Sequence, residues 1–395
     1  MGFDERFVKG LIEHGMQPKQ ATFFLKLYKQ DALGFPQITE EEREWALKKG
    51  FFPGRSHLLG LNNDNYHIYL SDYAYYMMHP FNNHFRFWVN DKLTLKYILN
   101  NSKFQYCMPK YYLYIENDGR YSYLMDFPEK VEKNEKCIYN LLKTKKRLAL
   151  KPNNGTEGIG FIKFEYNAGN IFYNNEMITK EKFNEIIDQL TNYTITEYCK
   201  QHSAFAEIFP DSECTLRITM GKNIGSYYEA SHWTNINCFA RFGSILSHGA
   251  SNLDAGGIGV GIDFISGKLN EDGIRYQHFI NKKDFYPYKK HPDTNVSWGD
   301  IKVPNWKLVK TKVFDICSYL SSLDYLAFDV IVTEKTVKIC EINTLPAMCY
   351  GQILSGPALG TIDRRKFFEQ KGYKSINTEV LFDIVKKAKE ENVDR

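Results

Sequence analysis

Apolar residues recur every three or four positions near the start of the chain. Phe7, Leu11 and Ile12 share one such stripe, and Phe23, Phe24, Leu27 and Tyr28 share another, so two helices are predicted there. Thr39-Glu40-Glu41-Glu42 reads as a capping box, in which the threonine oxygen accepts a backbone N–H and the last glutamate answers in return. Gly50 is suited to end that helix. Residues 1–88 are therefore expected to be helical, a platform without a catalytic constellation. From Asp91 to Cys199 the period switches back and forth, predicting strands at Leu148–Lys151, Phe161–Tyr166 and Tyr193–Tyr198. Thr179–Leu190 is predicted as a helix, with Phe183, Ile186, Ile187 and Leu190 on its apolar face. From Ser203 to Pro346 strands dominate, interrupted by a glycine- and polar-rich stretch at Trp233–His248 and a flexible loop at Asn252–Gly261. Trp306–Leu326 reads as a helix after Pro304, and a charged helical tail follows Ile362. The fold class is α+β, in three units: 1–88, 89–200 and 201–395.

The stretch Ala327–Met348 narrows the chemistry. Two apolar strands meet at a tight turn, Thr333–Thr336, and carry Asp329, Glu341 and Asn343 among β-branched residues. With the hairpin centred on Lys335, Asp329 lies across from Glu341. Asn343 shares that face, because side chains alternate along a strand. Three hard oxygen donors without Cys or His suit Mg²⁺, which takes carboxylates and phosphate oxygens.

A second motif lies at Arg147–Tyr166. One strand runs into a glycine-rich turn, Asn153–Gly160, and another strand leaves it. Gly155, Gly158 and Gly160 let backbone N–H groups approach an anion, and Thr156 adds a hydroxyl. Neither Gly-Lys-Ser/Thr nor a helix follows, which excludes a P-loop and a dinucleotide fingerprint. A phosphate-covering flap remains, with Lys151 as a positive charge at its base.

These two segments, in this order, resemble the ATP-grasp ligases. Glu341-Ile342-Asn343-Thr344-Leu345-Pro346 is similar to the metal motif of the D-alanine–D-alanine ligases, with Ala347 where glycine is usual. Asn90-Asp91-Lys92-Leu93, then Met108-Pro109, resembles the entry to the first ATP-grasp subdomain. The resemblance implies that Lys92 and Lys151 hold the ATP phosphates, and that Glu197-Tyr198-Cys199 is the hinge that holds adenine. Through Gln201-His202-Ser203, Cys214–Thr219 and Ser251–Ile258 the chain more narrowly resembles the sugar-transfer-associated ATP-grasp family, linked to surface polysaccharide biosynthesis. The likeness runs from about Asn90 to about Gly356. It implies an ATP-grasp fold, two α+β lobes gripping ATP, after the helical region. Two positions depart from the ligase pattern. Ala327 stands where an arginine precedes the metal Asp, and the glutamate expected after the hinge to hold ribose has no clear counterpart. Arg217 and Arg241 are then the candidates to stabilise phosphate, and Asn252 with its paired glycines faces the acyl phosphate.

Composition agrees with such an enzyme. At 395 residues, 43% hydrophobic and 25% charged, the chain can bury a full core and divide into subdomains around a cleft. A net charge of +4 from 51 basic and 47 acidic residues argues against a nucleic-acid binder. The basic run Lys143–Arg147 reads as a solvated helix end. Tyrosine and phenylalanine are abundant, 27 and 28, and most are expected in the core. The eight cysteines form no C-x-x-C, His57, His67, His79 and His84 show no metal-ligand spacing, and no G-x-S-x-G elbow is present. No apolar run approaches the ~20 residues of a membrane span, and MGFDERFVKG lacks a signal region, so reduced cytoplasm is expected.

The expected reaction joins a carboxylate to an amine through an acyl phosphate, using ATP and Mg²⁺, two ions by family resemblance. The partners would be small molecules, with a sugar acid or amino sugar on one side. Two alternatives stay open from these residues: a kinase acting on a hydroxyl, and a non-catalytic nucleotide-binding module. The base for the amine and the oligomeric state, a homo-oligomer included, also stay open.

Overall fold

Strand alternation builds two antiparallel sheets, each buried on the face its β-branched residues supply. The computed structural model describes residues 2–35, 37–155, 159–226, 229–247, 250–275 and 287–390. The first sheet holds β1 (Tyr111–Ile115), β2 (Tyr121–Tyr123), β3 (Arg147–Pro152), β4 (Ile162–Asn167), β5 (Asn170–Tyr173), β6 (Glu176–Ile178) and β7 (Tyr193–Glu197). Their order is β2-β1-β7-β3-β4-β5-β6. The second holds β8 (Thr215–Asn223), β9 (His232–Phe242), β10 (Ile258–Ile262), β11 (Leu269–Arg275), β12 (Tyr325–Val332) and β13 (Val337–Asn343), ordered β11-β10-β9-β8-β12-β13.

Each sheet has its own core. Helices 137–145 and 180–188 lay Leu141, Leu142, Phe183 and Ile187 on Leu148, Phe164 and Ile195 of the first sheet. Thr179 caps the second of these helices, accepting from the Lys182 N–H. Under the second sheet, Leu216, Ile218 and Met220 of β8 and Phe328 and Val330 of β12 meet Val309, Val313 and Ile316 of helix 306–319. The intervening residues of β8, Thr215, Arg217 and Thr219, are thereby turned to the opposite face. A third core joins the two ends of the chain: Phe7, Leu11 and Phe24 pack with Phe367, Leu381 and Ile384. The predicted N-terminal helices are present at Phe3–Glu13, Pro18–Gly34 and Glu40–Lys48. Thr39 and Glu42 exchange hydrogen bonds as a capping box, and Gly50 follows with φ +79°.

Three predicted segments are corrected. The helix expected over Trp306–Leu326 ends at Tyr319, and Tyr325 and Leu326 begin β12, paired with Gly221 and Met220. Asn82 pins that start, accepting from the Asp324 and Tyr325 N–H groups and donating to the Tyr325 carbonyl. Leu323–Phe328 is buried almost throughout, so periodicity could not tell strand from helix. The polar-looking stretch Trp233–His248 is mostly β9, a strand paired on both edges, whose asparagines are covered by helix 348–355 and the adjoining chain. Only the first half of Asn252–Gly261 is a loop, because Ile258–Ile262 is β10. Gly261 is required there by contact: a Cβ would lie 2.0 Å from the Leu354 carbonyl oxygen.

Candidate active site

The β12–β13 hairpin carries the three oxygen donors, with one difference in how register is reached. The turn is tight, Thr333 N–H donating to the Thr336 carbonyl, and its centre falls between Glu334 and Lys335. Continued from there, pairing of Val330 with Ile339 would set Cys340 against Asp329. A bulge inserts Cys340 as an extra residue, so Asp329 pairs with Glu341 and Ala327 with Asn343. Asp329, Glu341 and Asn343 thus share a face, as expected from a hairpin centred on Lys335.

Two arginines join them from the neighbouring strands. Arg217 lies opposite Asp329 across β8–β12, and Arg241 follows on β9. Arg217 donates from Nε and Nη2 to the two Asp329 oxygens, at 2.6 and 3.2 Å, and Arg241 Nη2 lies 2.9 Å from Oδ1. All three groups are largely withdrawn from solvent. Burial pushes the Asp329 carboxyl up, but the two guanidinium groups outweigh it and hold the group at about 2. Both arginines therefore sit on the aspartate rather than standing ready for an outside anion. Arg241 Nε also donates to Thr215 Oγ1, which is 3.0 Å from Ser251 Oγ. That chain of contacts ties the Asn252–Gly257 loop to the aspartate. Asn252 itself caps the short turn after it, accepting from the Asp254 N–H.

Across the cleft, β3 ends at Lys151 and Pro152, and the flap begins. Lys92 opens helix 92–99 behind its cap Asp91 and reaches under the flap. Its Nζ donates to the Gly155 carbonyl at 2.9 Å and lies 3.8 Å from Glu341 Oε1. Burial, with repulsion from Lys151, lowers the Lys92 ammonium from its ordinary value, and Glu341 opposes that shift. Asn153 Nδ2 donates to Asp91, locking flap base to helix start. Gly160 closes the far side with φ +77°, where a Cβ would be strained, and its carbonyl accepts from the Tyr193 hydroxyl. Thr156 and Gly158 lie outside the described residues.

The expected hinge is the link between the sheets. Glu197 ends β7, and its carboxylate accepts from the Lys110 N–H and lies 3.5 Å from Lys338 Nζ on β13. Tyr198 turns its ring beneath Lys163, 5.1 Å away, and its hydroxyl meets Glu213. Glu213 was not singled out in the sequence. It lies two residues before β8, fourteen residues beyond Cys199, and only folding brings it back beside the hinge. Burial pushes its carboxyl up, offset by Tyr198 and Lys163. Lys96 was likewise missed: it sits one turn beyond Lys92, is 1% exposed, and pairs with Asp126 at 2.9 Å. An i, i+4 spacing from Lys92 was the available signal.

The donor set fits a hard divalent cation. One face carries two carboxylates and an amide from adjacent strands, the hard oxygen donors such a cation takes, and among the described residues no group of three His, Cys, Asp or Glu gathers as a metal site of its own. No described helix is long and apolar enough to cross a membrane.

A D-alanine–D-alanine ligase of Bacillus anthracis is 14% identical, with 77% of this chain and 69% of that one covered at a TM-score of 0.33. The same enzyme complexed with ATP gives 15%, 77%, 68% and 0.33. D-alanyl-alanine synthetase A of Vibrio cholerae gives 12%, 78%, 67% and 0.34. No curated protein matches. The model of one family, described as sugar-transfer associated ATP-grasp, matches residues 74–365, from the last N-terminal helices through both sheets to the C-terminal helices. The chain belongs to the sugar-transfer associated ATP-grasp family.

Proposed function

We propose that this protein is an ATP-dependent carboxylate–amine ligase acting on a sugar acid or a sugar-linked acceptor. The observation that carries the reading is the gathering of Asp329, Glu341 and Asn343 on one sheet face, with Lys92 and the flap opposite and two arginines beside them. ATP enters between the sheets, its adenine at Glu197–Cys199 and its ribose hydroxyls toward Glu213. Lys92, Lys151 and the flap from Gly155 to Gly160 neutralise and cover the triphosphate, excluding water from the transfer. A divalent cation such as Mg²⁺, when bound, would supply positive charge against the charge that develops during phosphoryl transfer. Asp329, Glu341 and Asn343 are the residues that would hold it.

Arg217 and Arg241 orient the acid. With Asp329 engaged elsewhere, their forks would be free to bind a carboxylate or the transferred phosphoryl group, which match a guanidinium in geometry. The carboxylate oxygen attacks the γ-phosphorus, ADP leaves, and the acyl phosphate lies beside the Ser251–Asn252 loop. The amine then attacks the acyl carbon, expelling phosphate. All eight cysteines are free and buried, in keeping with a reducing cytoplasm.

Coupled ADP release against a panel of uronic acids, amino acids and small amines tests the reading. ADP formation should need both an acid and an amine, and hydroxylamine should trap the acyl phosphate. ADP release with a hydroxyl acceptor alone, and no trappable intermediate, would identify a kinase instead.

A further inference from the structure

We propose that Cys199 and Cys340 form a reversible disulfide on exposure to peroxide, and that this bond shuts the nucleotide cleft. The two thiols come from different lobes. Cys199 leaves β7 two residues after Glu197, and Cys340 is the extra residue at the β13 bulge, next to Glu341. Folding brings them into side-chain contact, with Ile331 completing a small buried cluster. Each sulfur lies 4.0 Å from the carbonyl oxygen two residues before it, of Glu197 and of Lys338. At 7% exposed apiece they are the most accessible of the eight cysteines, the others ranging from 0 to 5%.

The chemistry balances with hydrogen peroxide as the oxidant. One sulfur attacks an oxygen, the O–O bond breaks, and a sulfenic acid and one water result. The second sulfur displaces the sulfenic oxygen, forming the S–S bond and releasing a second water. Two electrons pass from the sulfur pair to the peroxide. The product bolts the segment leaving the first sheet to the strand bearing Glu341, so the lobes lose the freedom to part around a nucleotide. Transient disulfides of this kind are the sort found in reducing compartments. The disulfide stands on the packing of the two side chains in one cluster, whereas its effect on nucleotide rests on the function proposed above.

Peroxide treatment of the reduced full-length protein tests both parts. Thiol titration should fall from eight to six, and peptide mapping should find Cys199 joined to Cys340, reversibly with dithiothreitol. A non-hydrolysable ATP analogue with Mg²⁺ should bind the oxidised protein at least about tenfold more weakly, a cost of about 1.4 kcal/mol, and should slow the cross-linking when added first. Cys199→Ala and Cys340→Ala should each abolish the cross-link. Mapping that finds both thiols free, or paired elsewhere, overturns the proposal, and wild-type mapping decides this even should a variant misfold. Unchanged analogue affinity in cross-linked protein overturns the shut cleft. Failure of the reduced protein to bind the analogue would instead refute the nucleotide site, leaving the pair to stand or fall on mapping.

Discussion

Replacing Arg217 by methionine should weaken the fold and strengthen the binding of a bare divalent cation. Asp329 is 7% exposed and is held by three contacts, two from Arg217 and one from Arg241. At ~4 Å and an effective dielectric of ~20, each guanidinium–carboxylate attraction is about 4 kcal/mol. Removing one partner of a buried pair costs roughly 3–5 kcal/mol when the other is left alone. Here Arg241 stays as counter-charge, and the desolvation cost of Arg217 disappears with it. A net loss of about 2–3 kcal/mol follows. Methionine keeps much of the apolar stem, so packing contributes little to that figure. Urea unfolding without divalent metal measures it. The same substitution removes a competitor for Asp329, so Mn²⁺, followed by paramagnetic resonance without nucleotide, should bind at least about tenfold more tightly, or 1.4 kcal/mol. Saturating Mn²⁺ should then recover part of the lost stability, since a ligand that binds only the folded state stabilises it. Stability within ~0.5 kcal/mol of wild type, a change typical of ordinary surface sites, together with unchanged Mn²⁺ affinity, would refute the reasoning.

Further outcomes can be measured independently. Glu341→Gln keeps the side-chain volume but removes a charge from the proposed metal face. It should cut ADP release on the order of 10²-fold while leaving the circular dichroism spectrum unchanged; turnover within a few-fold of wild type would remove Glu341 from the site. Adding ATP analogue and Mg²⁺ should slow amide exchange at Gly155 and Gly160, and equal exchange with and without nucleotide would contradict the flap. Gly261→Ala sets a Cβ 2.0 Å from a backbone oxygen that cannot yield cheaply; a loss of about 2 kcal/mol or more is expected by thermal melting. Burial raises the Asp31 carboxyl to about 6, against the pull of Arg55 and the Gly54 N–H. The folded state then binds the proton more tightly than the unfolded one, so the Asp31 contribution to stability should fall as pH rises from about 4 to 6 and be constant outside that window. Asp31→Asn should abolish the slope, and a slope that survives it belongs to another group.

Much of the candidate site's local geometry was legible because its signals are local. The hairpin, its tight turn and the alternation of Asp329, Glu341 and Asn343 follow from strand periodicity, and the glycine-rich turn follows from composition. Thr39 and Glu42 announced a helix start through side chains three residues apart. Such features depend on near neighbours in the chain, which the sequence lays out directly.

Other features depended on what packs against a segment. β9 looked like a loop because its asparagines, and the glycine just after it, are ordinary loop residues, and only the chain packed over them makes a strand of that stretch. The end of helix 306–319 was invisible because the apolar run after it is buried on both faces, which erases any period. The bulge at Cys340 offset a turn centred half a residue away from Lys335, so the expected pairing of Asp329 with Glu341 arose by a different path. Above all, the sequence by itself determined the kinds of chemistry present: oxygen donors on strands, a lysine-based flap and free thiols. Tertiary structure alone decided the pairings, setting Arg217 and Arg241 on Asp329, Glu213 beside Tyr198, and Cys199 against Cys340. Each of those contacts joins residues far apart in the chain, and its existence rests on sheet order and lobe closure, which no local pattern encodes.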